Sequence, residues 1–280
     1  MAEWIETYRG VVSAWECDIV EHFTIAYYFD RFADATRNLI ELIGESESLG
    51  AAAGAPGSRL VATFQHELRA GAAHHILSAV TGVEATALQL RHQVIDTTSG
   101  KVVTWVAETL PLAANVPCAT RQTLAARVMP WTGPEIPKPN NVKSTGALTA
   151  RDRVKPWEID ERGRLSLPDF VHRFSGAGMH LLTSIGLTSD YMHKNRRGFS
   201  TFLLDFEIAG AAKAGDRIDV VTTVAHLGNT SLKYVHHMTG ADGRAIASMV
   251  QAGVQLDLDA RRPAPMLPEI RAAIEARLRT

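Results

Sequence analysis

The sequence predicts an α+β chain of two tandem domains, each an antiparallel sheet wrapped around one long helix, the two packed as an internal pseudo-dimer. Three observations predict this: a repeat at a fixed offset, one amphipathic helix per copy, and short strand-like runs after each helix. WECDIVEHFTIAYYFDRFADA begins at Trp15 and WEIDERGRLSLPDFVHRFSGA at Trp157, and subtracting one tryptophan number from the other gives an offset of 142. At that offset Ile25, Tyr28, Phe29, Phe32, Thr36, Leu39, Ile40 and Ile43 fall on Leu167, Phe170, Val171, Phe174, Gly178, Leu181, Leu182 and Ile185. Steps of three and four mark one buried stripe of a helix in each copy. Each helix stops at a glycine, Gly44 or Gly186, the residue that most readily turns left-handed at a helix end.

After each helix come β-branched or alternating runs: SRLVATFQHEL, HHILSAVTGVE, ALQLRHQVID and KVVTWVAETL, then FSTFLLDFEI, DRIDVVTTVAHL, SLKYVHHMT and RAIASMVQAGVQLDL. The turns TTSGK and TGADGR join the last two runs of each copy as hairpins. With TYRGVVSAWE and RVKPWEI ahead of the helices, each copy reads as strand, helix and four strands. A first domain over 1–112, a connector with a short helix over 113–150, and a second domain over 151–280 with the C-terminal helix LPEIRAAIEARL follow. Such a pair of like halves is expected to close about a pseudo-twofold axis, as homodimers do.

Acidic and basic residues nearly cancel, 30 against 29, so a nucleic acid or an anionic membrane surface is not an expected partner. No run approaches the length of a spanning helix, and MAEWIETYRG lacks a signal-peptide pattern; the expected location is cytoplasmic. Cys17 and Cys118 show neither disulfide nor zinc spacing and are expected to be reduced.

An aspartate at the end of the first strand, a histidine four residues on, a long helix and four strands resemble the hotdog-fold thioesterases of the 4-hydroxybenzoyl-CoA type, in tandem (double hotdog) arrangement. In that family the loop into the helix reads D-x-x-G-H. Asp18 and His22 match its aspartate and histidine, with Glu21 at the glycine position; Asp160 and Gly163 match in the second copy, with Arg164 at the histidine position. YYFDRFADATRNLIELIG is also similar to thioesterase domains associated with carnitine breakdown, which implies a small betaine-like acyl group.

The resemblance implies hydrolysis of an acyl-CoA, with coenzyme A present only as part of the substrate and no cofactor or metal. Thioester hydrolysis needs a carboxylate that attacks the carbonyl or activates water, and donors for the developing oxyanion. Asp18 is the expected nucleophile or base, His22 orients the carbonyl or water, and amides around Phe23, Thr24 and Ile25 at the helix N-terminus are expected donors. Asp160, with amides near Ser166 and Leu167, forms the pseudo-symmetric second site, where Arg164 could bind a phosphate of the substrate.

Blander readings accompany these. An aspartate ahead of a helix is often only a cap. His92 and His236 correspond between copies and either face the pocket or are hydrogen-bonded in the structure. His74 with His75, and His236 with His237, are neighbours on strands and point to opposite faces, so neither pair grips a metal. Glu67 and Glu207 are read as corresponding turn-flanking surface residues, and Cys17 as packing. SESLGAAAGAPGS is read as a flexible loop over or beside the pocket; it lacks the lysine and spacing of a phosphate-binding loop. Two alternatives stay open: a non-catalytic acyl-CoA or acyl-carrier binding protein, and a hotdog hydratase or dehydratase. Further homo-oligomerisation is also open.

Overall fold

The computed structural model describes residues 2–18, 21–139, 142 and 145–278. The chain divides into two compact units, Met1–Pro137 with Glu207–Gly210, and Lys138–Phe206 with Ala211–Thr280. The connector as far as Pro137 therefore belongs with the first unit, and the second begins ahead of the expected 151.

In the first unit β1 (Ile5–Val11) leads through a 3-10 turn (Ala14–Glu16) to α1 (Ile25–Leu42). A short helix α2 (Ser46–Leu49) precedes β2 (Arg59–Phe64), β3 (Ala73–Val83), β4 (Ala87–Asp96) and β5 (Val102–Pro111), and α3 (Cys118–Ala125) follows. The strands lie in the order β1-β3-β4-β5-β2. The second unit repeats this plan: β6 (Ala147–Arg153), a 3-10 turn (Pro156–Glu158), α4 (Leu167–Ser184), α5 (Ser189–Lys194), β7 (Arg197–Ile208), β8 (Arg217–Leu227), β9 (Ser231–Gly240) and β10 (Ala245–Asp257). Its strands run β6-β8-β9-β10-β7, with the two-residue β11 (Arg262–Pro263) on β10 and α6 (Pro268–Leu278) at the end.

The stripe read from the sequence is the buried face. Tyr28, Phe29, Phe32, Ala35, Thr36, Leu39 and Ile40 of α1 are buried, as are Phe170, Val171, Phe174, Ala177, Gly178, Leu181 and Leu182 of α4. Each large apolar side chain so removed from water contributes about 2 kcal/mol. Gly44 and Gly186 take φ of +79° and +94° at the helix ends, the left-handed turn expected there. The run SESLGAAAGAPGS departs from expectation. It forms α2 and tight turns, and Leu49 and Ala53 sink into the core cluster with Leu39, Ile40, Val80 and Leu110. Two apolar side chains among small residues suffice to dock the segment, which a loop reading overlooks.

Candidate functional site

The turn between each 3-10 segment and its helix is built by one carboxylate. In the first unit Asp18 N–H donates to the His22 carbonyl (2.9 Å), Glu21 N–H to the Asp18 carbonyl (3.0 Å), and His22 N–H to Asp18 Oδ1 (3.0 Å). In the second, Asp160 N–H donates to the Arg164 carbonyl (2.7 Å), Gly163 N–H to the Asp160 carbonyl (2.9 Å), and Arg164 N–H to Asp160 Oδ1 (2.9 Å). The fourth residue of each turn must adopt positive φ, +65° at Glu21 and +70° at Gly163. The backbones match although the residues do not.

The side chains differ between copies. His22 is buried against the protein, with Nε2 2.8 Å from Glu67 Oε2, and the Glu67 carboxylate, a third exposed, has Arg69 Nη2 3.7 Å away. At the matching place Arg164 turns back on its own turn, placing Nε and Nη2 3.1 and 3.0 Å from Asp160 Oδ2. The Arg164 guanidinium, expected to meet a phosphate of the substrate, is paired with Asp160 in this structure.

Glu67 lies in an exposed loop, the surface position its sequence context suggested, but its side chain reaches the buried His22 ring, and Glu207 is not its counterpart. Phe23 N–H donates to the Leu68 carbonyl and Leu165 N–H to the Ala212 carbonyl, both 2.8 Å. These matched bonds align Leu68 with Ala212, so Ala211 stands where the first unit has Glu67. No local pattern marks Glu67, because the contact forms only when the segment after β2 returns beside the turn.

The expected amide donors need correction too. Phe23 and Thr24 N–H are committed to the carbonyls of Leu68 and Glu16, each at 2.8 Å, and Ser166 N–H to that of Glu158 at 2.9 Å. An extended chain entering the helix pairs with its neighbours before the first turn begins. Ser166 is the N-cap of α4, accepting from Asp169 N–H. Ile25 and Leu167 are the first helical residues, where amides have no intrahelical acceptor and the helix dipole is positive.

His92 and His236 do not line the turns; both are fully buried beneath the helices. His92 Nδ1 lies 2.7 Å from Ser78 Oγ, itself 2.6 Å from Thr7 Oγ1, while Nε2 lies 3.2 Å from Glu108 Oε2, to which Thr36 donates. His236 Nδ1 keeps the same chain, 2.7 Å from Thr222 Oγ1, which is 2.6 Å from Thr149 Oγ1. Its Nε2 has no hydrogen-bond partner among the described residues, and the ring stacks on Phe174 at 5.3 Å between centroids. Burial pushes the His236 pKa down to about 3. The structural reading of these histidines is the one the geometry supports.

His74 is buried and His75 reaches Thr97 Oγ1 at 3.0 Å, so the pair diverges as alternation requires. Cys17 is partly buried and Cys118 exposed. No helix among the described residues is long and apolar enough to cross a membrane.

A family model described as the thioesterase-like superfamily matches residues 12–137 and again 154–274. Among solved structures, an acyl-ACP thioesterase from Bacteroides thetaiotaomicron VPI-5482 is similar with a TM-score of 0.66 and 12% identity, over 88% of this chain and 96% of that one. A 12:0-ACP thioesterase from Umbellularia californica gives a TM-score of 0.68 and 11% identity, over 90% and 94%. At these identities the likeness concerns the fold, which is that of two tandem hotdog domains. No curated protein sequence matches the chain at a significant level.

Proposed function

Because the chain belongs to the thioesterase-like superfamily, we propose that it hydrolyses an acyl thioester, an acyl-CoA in the first instance, at the turn leading into α1. The observation that supports this is the contrast between the two turns. The backbone of the turn is kept in both, but only the first presents a carboxylate and an imidazole together, with Asp18 Oδ1 accepting the His22 amide. The second is closed by the Arg164 fork on Asp160. The chain then has one working turn.

In this reading Asp18, exposed at the turn, is the base that takes a proton from water or the nucleophile that attacks the carbonyl carbon itself. His22 orients the carbonyl or the water. The oxyanion gathers at the N-terminus of α1, where the Ile25 amide and the positive end of the helix dipole lie. Collapse of the adduct breaks the carbon–sulfur bond and the thiolate leaves with a proton from the protonated base or from solvent; on the nucleophilic route water then hydrolyses the acyl–Asp18 anhydride to the free acid.

Thiol release from a panel of short, branched, aromatic and betaine-type acyl-CoAs, with acyl-carrier-protein thioesters in parallel, tests the proposal. Asp18→Asn is expected to lose at least about 100-fold in kcat, and Asp160→Asn less than about threefold. Equal losses in both variants would refute a single working turn, and binding without release from any thioester would favour a binding protein. A change in enoyl absorbance without thiol would favour a hydratase.

A further inference from the structure

We infer that Glu67 is a positioning residue for His22, acting through the imidazole and not on the thioester; this rests on the hydrolase reading above. Four observations converge on it. Glu67 Oε2 lies 2.8 Å from His22 Nε2, a charge-assisted distance. The His22 ring is the buried member of the pair, its side chain 10% exposed, and the Glu67 side chain, 34% exposed, reaches it from the surface. Arg69 Nη2 lies 3.7 Å from the same oxygen, a positive charge beside the carboxylate. The matched backbone bonds of Phe23 and Leu165 show that both members change together in the second unit, where Arg164 and Ala211 stand.

An imidazole on a turn can rotate about two side-chain bonds and exists as two tautomers. A carboxylate on one ring nitrogen fixes both, leaving the ring pre-set for its other partner. His22 alone would have to be ordered anew in each turnover. The arginine at the histidine position already has its carboxylate in Asp160, and Ala211 stands where the first unit has Glu67.

The test uses the full-length protein with Glu67→Gln, Glu67→Asp, Glu67→Ala and His22→Gln. Glu67→Gln is expected to lower kcat at least about 10-fold with KM within about twofold. Glu67→Asp should recover part of the loss, and Glu67→Gln should add little in a His22→Gln background. Nitrogen NMR of His22 gives a reading independent of turnover: the ring signals of one tautomer in the wild type should become those of an exchanging mixture in Glu67→Ala. Wild-type kcat in Glu67→Gln, full additivity with His22→Gln, or unchanged ring signals would overturn the role. Failure of the hydrolase reading shows in the wild type itself, as silence toward every thioester, whereas failure of the Glu67 role shows only in the variants.

Discussion

At Glu21 the chain holds a side chain in a conformation that suits glycine. Its φ of +65° matches the +70° of Gly163 in the other turn, and left-handed backbone costs an L-residue roughly 1–2 kcal/mol. Glu21→Gly relieves that strain but adds unfolded-state entropy, so a net gain of about 0.5 kcal/mol is expected. Gly163→Ala should lose about 1 kcal/mol. Urea midpoints of the two variants check both signs. A second residue-scale prediction concerns His236, held neutral by burial with its pKa at about 3. Unfolded, the group titrates near 6.5, so between these values the unfolded chain binds the extra proton. Stability from this group is complete above about pH 6.5 and falls by up to about 1.4 kcal/mol per pH unit on acidification. His236→Phe should flatten that slope, read from denaturant midpoints at pH 7 and at pH 4.5. Asp18 and His22 were legible in the sequence because one short turn fixes their spacing. Glu67 was not, since nothing local distinguishes a carboxylate that meets its partner only after the chain has passed through α1 and β2.

Elements are tied to one another by a bracket that both copies retain. The Glu16 carboxylate accepts from Ser13 N–H (2.8 Å) and binds Arg31 of α1; Glu158 accepts from Lys155 N–H (2.6 Å) and binds Arg173 of α4. The tryptophans that announced the repeat stand at the surface, 80% and 79% exposed, while the neighbouring Glu16 is buried. Arg31 also lies over the Tyr8 and Phe23 rings, 5.5 and 5.7 Å from their centroids, adding to the attachment. Removing the arginine strands a buried carboxylate, so Arg31→Ala should cost about 3 kcal/mol, and Glu16→Gln in that background should restore part of it. Thermal unfolding of the single and double variants measures the difference. The helix stripes were legible because periodicity is a property of the chain. The bracket was written at the same offset as the stripe, in Glu16, Arg31, Glu158 and Arg173, yet charge in an amphipathic helix ordinarily means solvent, and only packing shows that these charges turn inward.

Across the whole molecule the repeat is one backbone plan carrying two different interiors. The helices match at an offset of 142, but strand pairing shifts it. His92 faces Val106 and Leu90 faces Glu108 across β4 and β5, as His236 faces Met249 and Tyr234 faces Gln251 across β9 and β10. Gln251 therefore replaces Glu108, and it donates to Thr201 Oγ1 at 2.6 Å instead of serving His236. Tyr234 replaces Leu90, and Gly178 replaces Thr36. A Cβ added at Gly178 would stand 3.2 Å from the Tyr234 hydroxyl, so the larger strand residue takes the room the helix residue gives up. The sequence disclosed the duplication but not this exchange, because compensation across a core is legible only when facing residues are known. It has a measurable consequence in the first unit. Thr36→Gly weakens α1 and leaves Glu108 without its hydroxyl donor, and Leu90→Tyr forces a phenol against Thr36, each costing about 1–3 kcal/mol. Combined, the glycine admits the phenol, and the double variant should be at least about 1 kcal/mol more stable than the sum of the singles predicts. A double-mutant cycle from denaturant unfolding reads that coupling directly; additive losses would mean that the two cores are not interchangeable solutions to the same packing problem.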